Sequence, residues 1–384
     1  MSAIRETRVI QKGLENVYVK ESKICLVDGE NSRLFYRGYT VEDLTAHSTF
    51  EETAYLLLYG ALPSKAQLEE FVTKIESYRP LEAGILQLIR SLPLSCNPTD
   101  VLRTAVSALG SYDPDPTTSS MEARIDKSLR ILAKMPTIIA AFDRLRNQKD
   151  PIPPKSGLGE AANFLYMLSG NEPETYQTRV MDVAMILHEE HEMNASTFAC
   201  TVTASTLADM YSIITSGICA LRGPLHGGAN EAALRTVMEV GDASNAETYV
   251  TQALAQKKRI MGFGHRVYKT WDPRYRILKK IGADLAERTG QVKLYATAVA
   301  IENSTLRHLA GAPIFPNVDS YSGLVFHMLG IPMDLFTPIF AMSRVAGWTA
   351  HSIEYLESNR LIRPKTFYVG ETGLHYVPIE QRSP

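Results

Sequence analysis

The stretch Gly262-Phe-Gly-His-Arg-Val-Tyr-Lys-Thr-Trp-Asp-Pro-Arg274 gathers two glycines, a histidine and an arginine in one polar loop. Glycine permits backbone angles and close approaches that a Cβ blocks, so such a loop can press its N–H groups against a ligand. His265 can donate a hydrogen bond or move a proton near neutral pH. Arg274 can grip a carboxylate through two parallel hydrogen bonds. Asp272-Pro273 closes the loop, because proline fits the first turn of a following helix. A dinucleotide fingerprint does not fit. Val267 stands where the third glycine belongs, and the preceding Gln256-Lys-Lys-Arg-Ile260 is not a buried-strand pattern.

On both sides of this loop the sequence reads as helix after helix. Pro273–Leu285 and Leu294–Leu309 follow it, and Asn230–Val240 and Ala246–Lys258 precede it. Further upstream, Ala195–Ser216, Thr175–His188, Glu160–Leu168 and Met121–Asn147 carry helical patterns, the last with Pro136 expected to kink it. Thr40-x-x-Asp43, Thr49-x-x-Glu52 and Ser64-x-x-Gln67 have helix-capping spacing, and Gly60 and Pro80 sit where helices stop. Thr337-Pro338 reads as the cap and first residue of a helix reaching about Asn359. Only the first forty residues look extended, with Val17-Tyr-Val19, Ile24–Val27 and a turn at Asp28-Gly29. The expectation is an all-α architecture with a short β element at the N-terminus.

Four further polar islands accompany the glycine loop. His188-Glu-Glu-His-Glu-Met-Asn194 invites a metal reading, but its histidines are three apart, not the four of H-E-x-x-H, and no cysteine or histidine cluster completes a site. His191 and Asn194 are candidates for binding a polar ligand; the alternative for the island is a solvated helix end. In Leu221-Arg-Gly-Pro-Leu-His226-Gly-Gly-Ala-Asn230, a histidine beside a helix start can stay neutral and donate to a developing enolate; taken alone, the island favours a turn histidine fixed by backbone bonds. Asp319, in Phe315-Pro-Asn-Val-Asp319-Ser-Tyr321, is either a helix cap or a general base whose pKa is raised by desolvation. Arg344 lies within an apolar helix and needs a counter-anion if buried. Arg363 follows in Leu361-Ile-Arg363-Pro-Lys365.

The formal net charge of −2 over 384 residues gives no global field for nucleic acid or anionic membrane. The runs Lys257-Lys258-Arg259 and Lys279-Lys280 read as solvated helix faces, with coenzyme phosphates as the alternative partner for the first, which adjoins the glycine loop. Cys25, Cys96, Cys200 and Cys219 are widely spaced, which argues for a reducing compartment and against disulfides or a zinc knuckle. The N-terminal residues lack an apolar h-region and no apolar run is long enough to span a bilayer, so a cytoplasmic location is expected.

All five islands, in this order, resemble the citrate synthase family. The likeness runs from Gly29 and Arg37-Gly38-Tyr39 to Arg363-Pro364 and is most specific in Gly262–Arg274 and Gly-Pro-Leu-His226-Gly. It implies a two-domain helical fold: a large domain of residues 1–228 and 324–384 for dimerisation and oxaloacetate, and a small domain of residues 229–323 for coenzyme A. It implies condensation of acetyl-CoA with oxaloacetate and hydrolysis of citryl-CoA to citrate. The implied catalytic trio is Asp319 as base, His226 as donor to the enolate oxygen and His265 at the ketone. His191, Asn194, Arg274, Arg344 and Arg363 would hold oxaloacetate, with Arg363 reaching the neighbouring subunit's site in a homodimer that can assemble further. Arg259, Met261, Gly262, Gly264 and Lys269 would line coenzyme A. No metal or bound cofactor, nucleic acid or membrane is implied. A 2-methylcitrate synthase using propionyl-CoA shares the trio, and a metal-dependent hydrolase built on His188 and His191 is the more distant alternative.

Overall fold

The computed structural model describes residues 10–382. Its only sheet among them is a three-stranded antiparallel meander, β1 (Cys25–Asp28), β2 (Arg33–Tyr36) and β3 (Tyr39–Thr40). Val27 pairs with Leu34 and Leu26 with Phe35, so one face buries Val27, Leu34 and Tyr36. The expected extended stretch Val17–Val19 forms no strand. The Tyr36 hydroxyl donates to the Glu190 carbonyl at 2.8 Å and so ties this meander to the helical body.

Helices make up the rest. In order they are α1 (Val41–His47), α2 (Phe50–Tyr59), α3 (Lys65–Tyr78), α4 (Ala83–Ser91), α5 (Pro98–Leu109), α6 (Met121–Arg146), α7 (Glu160–Ser169) and α8 (Thr175–Glu189). There follow α9 (Ala195–Ser205), α10 (Met210–Leu221), α11 (Ala229–Val240), α12 (Ala246–Ala255), α13 (Pro273–Thr289), α14 (Val292–His308), α15 (Asp319–Met328) and α16 (Phe336–Glu357). Thr40, Thr49 and Ser64 cap the helices they precede, Ser64 in a reciprocal box with Gln67. α6 runs unbroken through Pro136.

Two expectations are corrected. Ala195–Ser216 is two helices, not one: Leu207 adopts φ +63° and Asp209 caps a new start, its side chain accepting from Ser212 N–H. The last long helix begins at Phe336, so Thr337 is not its cap. The Thr337 hydroxyl instead donates to the Gly227 carbonyl at 3.0 Å, behind His226.

α16 is the axis of the larger packing group. It lies against α2, α6, α8, α9 and α10 and is buried from Phe336 through most of its length, including Trp348 at 0% exposure. Burial of so many apolar side chains at about 25 cal/mol per Å² is the main force fixing this helix in place. A second group is formed by α11, α13, α14 and α15, with α12 on α14. The polar islands around His191, His226, His265 and Asp319 fall on helix ends and loops, whereas Arg344 lies within α16 and Arg363 on the segment after it.

Candidate active site

The glycine loop is held by the segment that leads into α15. Gly264 N–H donates to the Phe315 carbonyl at 2.8 Å, Asn317 N–H to the Gly262 carbonyl at 2.9 Å, and the Asn317 side-chain amide to the Gly264 carbonyl at 2.7 Å. Gly262 has φ +82°, and a Cβ there would lie 2.7 Å from the Ser320 Cα. The position therefore excludes other residues both by backbone angle and by space. Asp272 completes the clasp. Its Oδ1 accepts from the Arg274 backbone and Nε at 3.0 Å each, and its Oδ2 from Arg274 Nη2 at 2.7 Å and from Val318 N–H at 3.1 Å. One buried carboxylate thus orients the arginine and fixes the residue before Asp319. The β1–β2 turn braces the loop from outside: the Gly29 carbonyl accepts from Lys269 N–H at 3.0 Å, and a Cβ on Gly29 would meet Val267 O at 2.3 Å.

This scaffold sets the state of His265. Its Nδ1 accepts from Val267 N–H at 3.0 Å and Tyr268 N–H at 3.1 Å, so the proton of the neutral ring is assigned to Nε2. Burial, helped by the Arg274 charge, lowers its pKa to about 4. The ring is a neutral donor at pH 7.

His226 is set in the opposite tautomer. Its Nε2 lies 3.3 Å from the Ser196 backbone N–H, which donates to it, and 2.8 Å from Ser196 Oγ, leaving the proton on Nδ1. Burial first, then Arg344, lowers this pKa to about 4. Burial, rather than the start of α11, is thus the leading cause of its neutrality. Ser196 is itself held by the Trp348 indole N–H at 3.1 Å and by Asn194 Oδ1 at 2.7 Å.

Asp319 is the first residue of α15. Val318 occupies the cap position, and Asp319 makes no side-chain cap. Its own N–H is taken by Asn317 Oδ1 at 3.0 Å, and its carboxylate accepts no hydrogen bond among the described residues. Burial raises its pKa to about 6 against the opposing pull of Arg274. The helix-cap alternative is therefore not what this carboxylate does.

Two guanidinium groups face the same region. Arg344 is 1% exposed; its Nε donates to the His188 carbonyl at 2.6 Å, and its Nη2 is buried without a partner. A buried, charged donor left unpaired is costly, which marks the place an anion would fill. Its guanidinium lies 4.7 Å from the Phe340 ring centre, and the His226 ring lies 6.4 Å from the same ring. Arg274 is engaged on one side by Asp272. The His191 ring lies 5.0 Å from that of His265, and its Nε2 lies 3.3 Å from the Tyr268 hydroxyl. Burial holds His191 well below the usual histidine pKa.

Other expected residues are placed differently. The Asn194 side-chain Oδ1 caps α9, accepting from Ser196 and Thr197 N–H, and so braces the helix start behind His226. Arg363 is exposed in the extended run after α16, with no ion pair among the described residues. Arg259 and Lys269 are exposed beside the loop, and Met261 is half-buried. His188 and His191 do not converge: the His188 Nδ1 bonds to the Ala184 carbonyl at 2.7 Å. Among the described residues no group of three or more His, Cys, Asp or Glu side chains is arranged to hold a metal ion. No helix among them is long and apolar enough to cross a membrane. Ser196, Tyr268, Asp272 and Asn317 were not singled out by the sequence as chemistry-bearing. Asp272 alone left a signal, as the Asp-Pro helix start.

Residues 13–365 match the family model described as the citrate synthase C-terminal domain. The citrate synthase of Synechocystis is 44% identical over 98% of this chain and 95% of its own length. The 2-methylcitrate synthase 1 of Corynebacterium glutamicum is 43% identical over 97% of this chain and 99% of its own. Among solved structures, the ternary complex of carboxymethyl coenzyme A and oxaloacetate with citrate synthase from Thermoplasma acidophilum superposes with a TM-score of 0.93 at 37% identity, covering 98% of this chain and all of that one.

Proposed function

The chain belongs to the citrate synthase family, and from that premise we propose that it condenses acetyl-CoA with oxaloacetate and releases citrate and CoA. The observation that carries this reading is the unengaged, desolvated carboxylate of Asp319, within the electrostatic reach of Arg274 and of Arg344, whose buried Nη2 has no partner; His226 and His265 supply neutral N–H donors of opposite tautomer. Asp319 takes a proton from the thioester methyl, and the electron pair moves toward the thioester oxygen. His226 Nδ1–H hydrogen-bonds that oxygen and stabilises the enol or enolate. The nucleophilic carbon attacks the oxaloacetate ketone, whose oxygen is polarised by His265 Nε2–H. His265 then protonates the new alkoxide, and water hydrolyses the thioester of citryl-CoA. His191, Arg274 and Arg344 bind the two carboxylates. Arg259, Met261, Gly262, Gly264 and Lys269 border coenzyme A.

Residues 229–323 form the lobe that closes on substrate over a larger lobe made of the described part of residues 1–228 and 324–384, with α15 crossing from one to the other. The working unit is a cytoplasmic homodimer. Support lies in the segment after α16, which exposes Leu361, Tyr368, Val369, Leu374, Tyr376 and Ile379, a quantity of apolar surface that a partner subunit would cover. Arg363 lies on this segment and completes the partner's site.

The test is thiol release from acetyl-CoA with and without oxaloacetate, in the presence of a chelator. Oxaloacetate-dependent release is expected. Release without oxaloacetate, or activity that chelation removes and zinc restores, would sink the reading. Running propionyl-CoA alongside decides between this and the 2-methylcitrate reaction, to which one relative's name points. A single methylene is worth about 1–3 kcal/mol in such a pocket, so a preference of tenfold or more assigns the acyl chain.

A further inference from the structure

Between α8 and α16 a buried acid stands near Arg344 without pairing with it. Arg344, Gly347 and His351 are spaced three and four residues apart and so share one face of α16. Glu190, the residue just after α8, lays its carboxylate over the middle of that face. A Cβ on Gly347 would lie 1.9 Å from Glu190 Oε2, so only glycine leaves room for it. Glu190 is 0% exposed and His351 1%. Glu190 Oε1 accepts from His351 Nε2 at 3.0 Å, while its Oε2 is buried without a partner. Burial pushes the Glu190 carboxyl up, but His351 and then Arg344 outweigh it and hold its pKa below the ordinary value, so the group is ionised at pH 7. At Arg344, burial lowers the pKa and Glu190 is the leading opposing charge. The other cations near Glu190 are already engaged. Lys20 pairs with Glu354 at 2.7 Å, and Arg37 donates to the Leu57 carbonyl at 2.7 Å. A free donor on Arg344 and a free acceptor on Glu190 thus share one helix face and are held apart, Arg344 by the His188 carbonyl at 2.6 Å and Glu190 by His351.

We propose that Glu190 is a positioning residue acting through Arg344: a counter-charge that His351 holds back, so that the arginine is compensated when empty yet open to a substrate carboxylate. This role rests on the oxaloacetate reading above and adds to it what sets the affinity. A full Glu190–Arg344 bridge would fill the site with the protein's own acid. With no counter-charge at all, a buried cation would stand uncompensated, which is costly. Held one step away, Glu190 also repels bound carboxylates. Citrate carries three and oxaloacetate two, so the repulsion falls harder on product than on substrate.

The experiment measures binding of oxaloacetate and of citrate, each without CoA, to the full-length protein by titration calorimetry. It compares the parent, Glu190→Gln, His351→Leu and the double variant. Glu190→Gln keeps the shape and removes the charge, so both ligands should bind about three- to tenfold more tightly, citrate gaining more. His351→Leu frees the acid to turn onto Arg344 and should weaken both by a similar factor. In the double variant no acid is left to turn, so it should bind as Glu190→Gln does. A pair that merely holds the fold would give losses in all three. Glu190→Gln binding no more tightly than the parent, or a double variant binding no more tightly than His351→Leu, overturns the proposal. Should Glu190→Gln fail to fold, the second comparison decides alone, since neutralising both members of a buried pair is tolerated better than removing one. A parent that binds neither ligand overturns the oxaloacetate reading and this role together. A parent that binds both, with variants of the wrong sign, overturns this role alone.

Discussion

At Asp319 the fold holds a carboxyl where its ionised form is disfavoured, since burial lifts its pKa from 3.8 to about 6. A base in this state is matched to removing a proton from carbon near neutral pH. Asp319→Asn keeps size and polarity but cannot accept the proton, so turnover should fall roughly 10²–10⁴-fold while oxaloacetate binding persists. Near-parental turnover in the folded variant would assign the base elsewhere. The parent's kcat/KM should decline about tenfold per pH unit below pH 6, as Asp319 protonates before either His226 or His265, both at about 4. A profile flat down to pH 5 would remove Asp319 from the free enzyme's essential groups. Stability follows the same shift with a definite sign. The folded pKa lies above the unfolded one, so folding takes up a proton between about pH 4 and 6. Asp319 therefore costs stability above that window and the cost disappears as pH falls through it. Asp319→Asn should thus melt higher than the parent at pH 7, with the gap closing toward pH 4. His226, His265, Asp319 and Arg344 were legible in the sequence because each sits at a chain break or in an apolar run. Ser196 and Tyr268 were not, because a serine or tyrosine in a helical or loop stretch gives no sign of which distant ring it will touch.

Among the elements, the glycine loop and the start of α15 behave as one piece, joined by Gly264 to Phe315, by Asn317 to Gly262 and Gly264, and by Asp272 to Val318. Gly262→Ala forces a methyl against Ser320 at a backbone angle that alanine avoids. We expect a loss of turnover of tenfold or more and a lower melting temperature, measured by steady-state kinetics and thermal unfolding. An unaffected enzyme would mean that the two segments can part without consequence. Local signals served well where the chemistry is local. Capping at Thr40, Thr49 and Ser64 needs only residues three apart, and the sequence shows it. The break between α9 and α10 was hidden because Leu207 takes a left-handed angle that no glycine announces, and Asp209 then restarts the helix. Likewise Thr337-Pro338 resembles a helix start, but α16 begins at Phe336 and turns the threonine toward Gly227.

For the whole molecule, the all-α class followed from the run of helical patterns, whereas the way the islands converge is a long-range property that periodicity does not carry. The exposed segment with Arg363 bears on assembly. If Arg363 serves the neighbouring subunit, a heterodimer of Arg363→Ala and Asp319→Asn chains has one intact site, and the other carries both lesions. Coexpressed with different tags and purified, it should recover about half the parental rate from two nearly inactive parents. A heterodimer as inactive as its parents places Arg363 within its own chain's work. The β1–β2 turn against the glycine loop has a kinetic consequence. The Ser32 and Thr270 hydroxyls meet across 238 positions of sequence, Arg344 reaches back 156 to His188, and Trp348 reaches 152 to Ser196. Closing such long intervals is slow compared with winding individual helices. During refolding from denaturant, far-UV circular dichroism should recover well before oxaloacetate-dependent thiol release. Catalytic competence is then the last property this chain acquires, and its return marks the moment when distant parts of the polypeptide have found each other.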